Sequence, residues 1–305
     1  MRSILVGILL SGLGCSSAPS QNNEPAAEVT EKPTKAVAEK TKDPAPKSLV
    51  TLGGNITETV FALGFGEKIV GVDASSLYPE EATKRAQVGY YRQVSAEGII
   101  SLAPDLVLAS DASGPADVLT KVTGVGIRIE KLPSTKTLEG AKSRIKAIAD
   151  LLGAKAKGDE LIQSMEQKIQ SVSPSKKPKK VLFIYARGAG SANVAGTKTA
   201  GDEMIRLAGG LNAVQDYEGY KPMNAESIVA AAPDVILLTT RGLQSIGGVD
   251  AVAKMEGISL TPAAKNKAII AVDDLMLLGF GPRTGEAVVS LAELLNAEKS
   301  TASKP

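Results

Sequence analysis

The sequence predicts an α/β fold: two Rossmann-like lobes with mostly parallel sheets, joined by a long backbone helix, with a ligand cleft between them. Three observations lead there. From residue 49 onward, short β-branched runs alternate with longer helical stretches, the pattern of βαβ units. One thirteen-residue segment, 96–108, recurs 129 residues later as 225–237 with seven identical positions. Between the two copies, residues 137–172 keep helical spacing through Leu138, Ala141, Ile145, Ile148, Leu152, Leu161, Met165 and Ile169.

The strands expected in the first lobe are 49–52, 69–72, 106–108 and 127–129, and in the second 181–185, 235–238 and 268–272. In each copy of the repeat a good N-cap, Ser95 or Asn224, opens a helix. A Pro-Asp pair, Pro104-Asp105 or Pro233-Asp234, then closes it before a buried strand. A unit of cap, helix, Pro-Asp and strand used twice implies two similar lobes. Gly153 and Gly158 weaken the middle of the joining stretch, which leaves open one bent helix or two. A Ser/Pro/Lys run at 173–180 marks the next boundary and reads as a solvated turn. The domains are therefore 48–136, the link 137–173, and 179–298. Because a helical link is stiffer than crossing strands, lobe closure is expected to be a modest rocking.

The N-terminus reads differently. Arg2 followed by the apolar run 4–10 resembles a secretion signal, too short to span a bilayer. A small residue before the lone Cys15 resembles a lipoprotein cleavage site, although Gly12 stands where Leu is usual. The signal is read as 1–15, with Cys15 lipidated; the alternative is an ordinary cleaved signal with a stray Cys nearby. Residues 16–47 carry five Lys, four Glu, one Asp and five Pro, and almost no large apolar side chains. Such a stretch buries too little to offset ordering entropy and reads as a flexible tether.

Composition narrows the chemistry. A length of 305 residues allows two domains. The net charge of +2 supplies no basic face for nucleic acid. The chain has no His, which excludes Ser-His-Asp and Cys-His triads and imidazole metal ligands. One Cys excludes an intrachain disulfide, a Cys zinc site and an iron–sulfur cluster. Neither a Walker motif nor a Rossmann glycine fingerprint is present. Candidate carboxylate pairs for an enzyme are Glu97 with Asp105 and Asp273 with Asp274. The second pair is adjacent in sequence, so in a strand it would point to opposite faces. No catalytic role is expected.

Two lobes, a joining helix and paired Ala-Pro-Asp segments resemble the substrate-binding proteins of iron-siderophore, cobalamin and haem ABC importers, over about residues 48–298. Three stretches resemble the haemin-binding branch: 53–64, which begins Gly53-Gly54-Asn55, then Val88-Gly89-Tyr90-Tyr91-Arg92-Gln93, and Leu277-Leu278-Gly279-Phe280-Gly281-Pro282-Arg283-Thr284. The first is common across the larger family.

The resemblance implies that Tyr90 is the axial ligand of ferric haem b, the transported molecule. A phenolate is a hard anionic donor suited to Fe(III), and Arg92 would favour that charged form. Tyr91 is the local competitor, facing the other way if the motif is a strand. Some members of this branch carry a second-lobe His; Arg187 stands at that place and, always protonated, would pair with a propionate or cover the distal face, the alternative being a plain surface Arg. Tyr217 and Tyr220 are candidates to stack on the porphyrin, or plain loop residues. Met276, Gly279 and Phe280 are candidate pocket residues; for Met276 and Phe280 the alternative is lobe core. With ten aromatic residues in the chain, apolar walls would rest largely on aliphatic side chains.

Glu97 and Glu226 occupy equivalent places in the repeat. In the first turn of a helix each would favour the helix dipole by at most about 1 kcal/mol. The resemblance implies more, one docking anchor per lobe for the two subunits of an ABC permease served by its ATPase. The expected protein is a monomer in the periplasm or at the cell surface, touching membrane only through its N-terminal lipid. The alternatives are a ferric siderophore or corrinoid carrier, an enzyme, or a structural surface lipoprotein with no cleft ligand.

Overall fold

The computed structural model describes residues 46–173, 175–188 and 192–297. The signal, Cys15 and nearly all of the tether lie outside the described residues. Lys47, assigned to the tether, already belongs to the folded part, since its backbone N–H donates to Asp105 at 2.7 Å.

The first lobe contains β1 (Leu49–Leu52), β2 (Ile69–Val72), β3 (Ala86–Gln87), β4 (Gly89–Tyr90), β5 (Gln93–Val94), β6 (Leu106–Ser110) and β7 (Arg128–Leu132). Five of these make a parallel sheet in the order β3-β2-β1-β6-β7, and β4 and β5 form a separate antiparallel hairpin. Side chains alternate between the faces of β1 and β6. Leu49 and Leu108 pack with Ile56, Val60 and Ile148, whereas Val50, Leu52 and Val107 pack with Ile99. Both faces of these central strands are therefore covered, which is why they read as near-continuous apolar runs.

The second lobe contains β8 (Lys180–Ala186), β9 (Ala192–Ala195), β10 (Leu211–Asn212), β11 (Tyr220–Pro222), β12 (Val235–Thr239) and β13 (Ile269–Val272). Its sheet runs β11-β9-β8-β12-β13, with β10 also beside β8. The strands β8, β10, β12 and β13 are parallel, and β9 and β11 are antiparallel additions at one side.

The repeat is structural in detail. Ser95 accepts from Gly98 N–H and Asn224 from Ser227 N–H, both at 3.0 Å, capping the helices Ala96–Ser101 and Ala225–Ala231. Each copy then turns through a left-handed alanine, Ala103 at φ 43° and Ala232 at φ 44°. The carboxylate of each Pro-Asp pair holds the start of its lobe's first strand: Asp105 accepts from Lys47 and Ser48 N–H, and Asp234 from Lys180 N–H at 2.9 Å. Asp105 thus has a structural task, which removes it from a carboxylate pair with Glu97.

The stretch expected as a long joining helix folds as two helices, Leu138–Leu152 and Lys155–Gln170. Gly153, at φ 71°, ends the first in a left-handed cap. The Lys142–Glu166 ion pair at 2.6 Å and the close approach of Gly158 to Ala149 lay the two side by side, antiparallel. The first gives Ile148 and Leu152 to the core of the first lobe, while Ala141, Ile145 and Met165 enter that of the second. The link is thus a packed helical hairpin embedded in both lobes.

A polar clamp joins the lobes at the base. Glu58, buried on the helix Gly54–Ala62, accepts two side-chain bonds at 3.0 Å from Arg283 of the second lobe. That guanidinium also lies 3.6 Å from the centre of the Tyr78 ring. Arg144, 1% exposed, donates to Pro133 O at 2.7 Å and to Phe280 O, bridging the end of β7 and the second lobe. Asn55 adds a bond to Gly279 O at 2.8 Å.

Candidate functional site

Above this clamp lies a cavity of about 630 Å³ lined by both lobes, within the range of small-molecule sites. Its position follows from topology. The lining residues Gly53, Ala74, Ser110, Arg187, Arg241 and Asp274 follow or end β1, β2, β6, β8, β12 and β13. Both lobes therefore aim the carboxyl ends of parallel strands at one cleft, the usual ligand position in open α/β sheets.

The first-lobe wall depends on a tight turn. Gly53 has φ 131°, and a Cβ on Gly54 would lie 2.2 Å from Ser75 O. Only glycines let this turn approach the loop after β2 so closely. The hairpin of β4 and β5 brings Tyr90, Tyr91 and Arg92 to the cavity. The two tyrosine rings do not face opposite ways as a regular strand would require: their centres are 4.6 Å apart at 60°. A two-residue strand running straight into its turn does not impose the alternation of a longer one. Arg92 lies over the Tyr91 ring at 5.2 Å. Burial, then the hydrogen bond with Tyr90, pushes the Tyr91 phenol up to about 12, so Tyr91 resists becoming a phenolate.

From the second lobe come Tyr185 and Arg187 at the end of β8. Arg187 Nε donates to the Tyr185 hydroxyl at 2.7 Å, and its guanidinium lies near enough to the Tyr90 phenol across the cleft for the two to interact electrostatically. Burial opposes that charge, yet the Tyr185 and Tyr90 phenols hold it above its ordinary value. Tyr90 and Arg187, read separately from the two halves of the sequence, thus meet across the cleft. Lys136 sits where β7 gives way to the link, its Nζ 3.4 Å from Gly279 O. Burial, with the charges of Arg144 and Arg92, lowers its ammonium to about 8. Among the described lining residues, Arg92, Lys136, Arg187 and Arg241 face one carboxylate, Asp274. The site is built for an anion, with phenols at its centre.

Four expected pocket residues do not line the cavity. Phe280 is fully buried at φ 54°, and that left-handed turn drives its ring into the second-lobe core. Met276 packs against the same core; Leu275 and Leu278 supply the cleft wall instead. Tyr217 donates to Val194 O at 3.1 Å and packs beside the outer strands. Tyr220 is exposed, its ring 5.8 Å from that of Tyr185, one layer back from the cavity. Gly279 does line it. Asp273 caps the helix Asp274–Gly279 through Met276 N–H, and Asp274 accepts from Arg241 N–H, so both are engaged with backbone. Glu97 and Glu226 are exposed in the first turns of their helices, away from the cavity lining.

Lys136, Tyr185 and Arg241 were not singled out from sequence. The signal available was position: each follows or ends a strand already expected to be parallel, where clefts form.

Residues 49–275 match the periplasmic binding protein family, a span of more than half the chain. The chain belongs to that family. The apo periplasmic heme-binding protein RhuT from Roseiflexus sp. RS-1 superposes with a TM-score of 0.79 at 41% identity, covering 82% of this chain and 97% of RhuT. An ABC transporter substrate-binding lipoprotein of Bacillus subtilis, YvrC, is 34% identical over 81% of this chain and 79% of its own length. The vitamin B12-binding protein of Vibrio parahaemolyticus is 26% identical over 82% of this chain and 90% of its own. The binding protein is accordingly the substrate-binding component of an ABC importer, a transport protein and not an enzyme. Its partners are a permease and an ATPase, and it acts outside the cytoplasm. No helix among the described residues is long and apolar enough to cross a membrane.

Proposed function

We propose that this binding protein captures ferric haem in the interlobe cleft, through the Tyr90 phenolate as axial ligand, and delivers it to the permease. The observation that carries this reading is the meeting of Tyr90 with Arg187 inside a cleft whose lining has four cations and one carboxylate. Haem offers a complementary charge pattern, with an open ferric iron for a phenolate and two propionates for cations. Arg187 stands beside the Tyr90 phenol and Arg92 over the neighbouring Tyr91 ring, while Tyr91 is held neutral by burial. Lys136 and Arg241 are available for the propionates. The 41% identity with a heme-binding protein supports the same ligand.

A corrinoid is the second reading, favoured by the kinship with a vitamin B12-binding protein. Its macrocycle is fringed mainly by amides and gives four cleft cations little to neutralise. Competition decides between them: haemin is expected to saturate the protein and to resist displacement by a large excess of cyanocobalamin. Displacement by cyanocobalamin at equal concentration would reverse the assignment.

Lipidation of Cys15 belongs to the same proposal, and so does docking through Glu97 and Glu226. Both glutamates are exposed and occupy equivalent places in the two lobes, as a partner of paired subunits would require. Reversing either charge to Arg sets like charges against the partner's cations, which costs several kcal/mol at a docked surface. Uptake into whole cells or vesicles should fall at least about tenfold on that ground, with haemin affinity unchanged. Normal transport by both variants would remove the docking role.

A further inference from the structure

A buried carboxylate outside the cavity ties the site together. Asp73 follows β2 and is fully buried. Its Oδ1 accepts from Gly53 N–H at 2.8 Å and from the Ser76 hydroxyl at 3.0 Å. Its Oδ2 accepts from Ser75 N–H at 2.9 Å and from Tyr91 N–H at 3.1 Å. These donors come from three different segments that line or adjoin the cleft: the glycine turn after β1, the loop after β2 and the Tyr90 hairpin. The last bond matters most, because Tyr91 N–H belongs to the peptide unit that leaves Tyr90.

We infer that Asp73 is the positioning residue that fixes the Tyr90–Tyr91 peptide and so aims the Tyr90 phenol into the cleft. The inference rests on the haem reading for its ligand and on the hydrogen-bond geometry for its mechanism. An ionised carboxylate suits this place because it only accepts, and four donors converge on it. Backbone bonds fix the hairpin at neighbouring points: Ala74 N–H donates to Gly89 O at 2.8 Å and Gly114 N–H to Tyr91 O at 2.9 Å. Asp73 adds a side-chain anchor at the peptide between them. An asparagine cannot replace it, since its NH₂ group must face one of the two donor pairs and leave a buried backbone N–H unpaired.

The test compares Asp73→Asn with Asp105→Asn. Both carboxylates hold backbone N–H groups beside β1, Asp105 at its start and Asp73 at its exit. Asp73 is buried and Asp105 exposed, so thermal unfolding of both variants records the stability difference, and binding, band and exchange are compared beside it. Asp73→Asn is expected to weaken haemin binding roughly 10–100-fold, the usual effect of losing an outer-shell partner, and to shift the phenolate-to-iron charge-transfer band. Asp105→Asn should leave both unmoved. Amide hydrogen exchange of residues 89–92 in the ligand-free protein gives a second readout that does not need haem: faster in Asp73→Asn, unchanged in Asp105→Asn. If wild-type protein binds no haemin, the haem reading falls, and this exchange still decides the role of Asp73. Should Asp73→Asn fail to fold, an ester in place of the Tyr90–Tyr91 amide removes only the N–H and is expected to give the same spectral and exchange changes. Band and exchange equal to those of Asp105→Asn, or of wild type for the ester, would overturn the inference.

Discussion

Replacing Arg283 with methionine should destabilise the folded protein by about 3–5 kcal/mol, the cost of stranding one partner of a buried ion pair. At about 2–4 °C per kcal/mol for a fold of this size, the melting temperature should drop by roughly 10 °C. The reason is Glu58, whose side chain is 4% exposed and whose two oxygens are held by Arg283. Burial already raises the Glu58 carboxyl above its ordinary value, with the Arg283 bonds and charge opposing that rise. A raised folded-state value means the folded protein holds the proton more tightly than the unfolded chain. Its contribution is full below the unfolded value of 4.5 and is lost as pH rises through the folded value. Without Arg283 the rise grows, so the variant's deficit should be larger at pH 7 than at pH 4.5. Adding Glu58→Gln to Arg283→Met removes the stranded charge and should recover at least half of the loss. Thermal unfolding of the three variants at both pH values checks this. Equal deficits at the two pH values, with no recovery in the double variant, would show that the clamp works through packing alone. Glu58, Asn55 and Arg144 tie the lobes together at their base.

Tyr90→Phe should weaken haemin binding by more than the roughly 100-fold that loss of an outer-shell partner costs, because it removes the proposed iron donor. The substitution keeps the ring and its contact with Tyr91, so folding should be unaffected. Tyr91→Phe should change affinity only a few-fold, since burial keeps that phenol protonated and Tyr90 is the proposed iron donor. Titration of haemin into the three proteins checks the contrast. Comparable losses in both variants would mean that the tyrosines share the iron, and a loss confined to Tyr91→Phe would move the ligand one residue along.

The two lobes were legible because the repeat is physical as well as textual. Its caps, left-handed alanines and Pro-Asp carboxylates recur at the same places in both halves. The central strands were legible from their near-continuous apolar runs. The short strands β3, β4, β5, β9, β10 and β11 were not, since two to four residues carry little periodicity and their pairing is set by tertiary neighbours. The joining stretch resolved at Gly153, where a left-handed cap turns one helical pattern into two helices. In the cleft, the Tyr90 motif and Arg187 were visible as residue types, but their meeting depends on how the lobes face each other. Phe280 misled because nothing in its neighbours announces a non-glycine left-handed turn, which sends the ring into the core and leaves Leu275 and Leu278 to the cavity. Lys136 and Arg241 stand alone in the sequence and acquire meaning only as members of a cationic lining.

Under the proposed function, a phenolate from Tyr90 binds ferric iron in this cleft. The visible and resonance Raman spectra of the protein's haemin complex, beside those of Tyr90→Phe, test this. A high-spin ferric spectrum with phenolate-to-iron charge-transfer and phenolate vibrational bands, lost in Tyr90→Phe, is the result expected. A wild-type complex without those bands, or one whose spectrum Tyr90→Phe leaves unchanged, would contradict it.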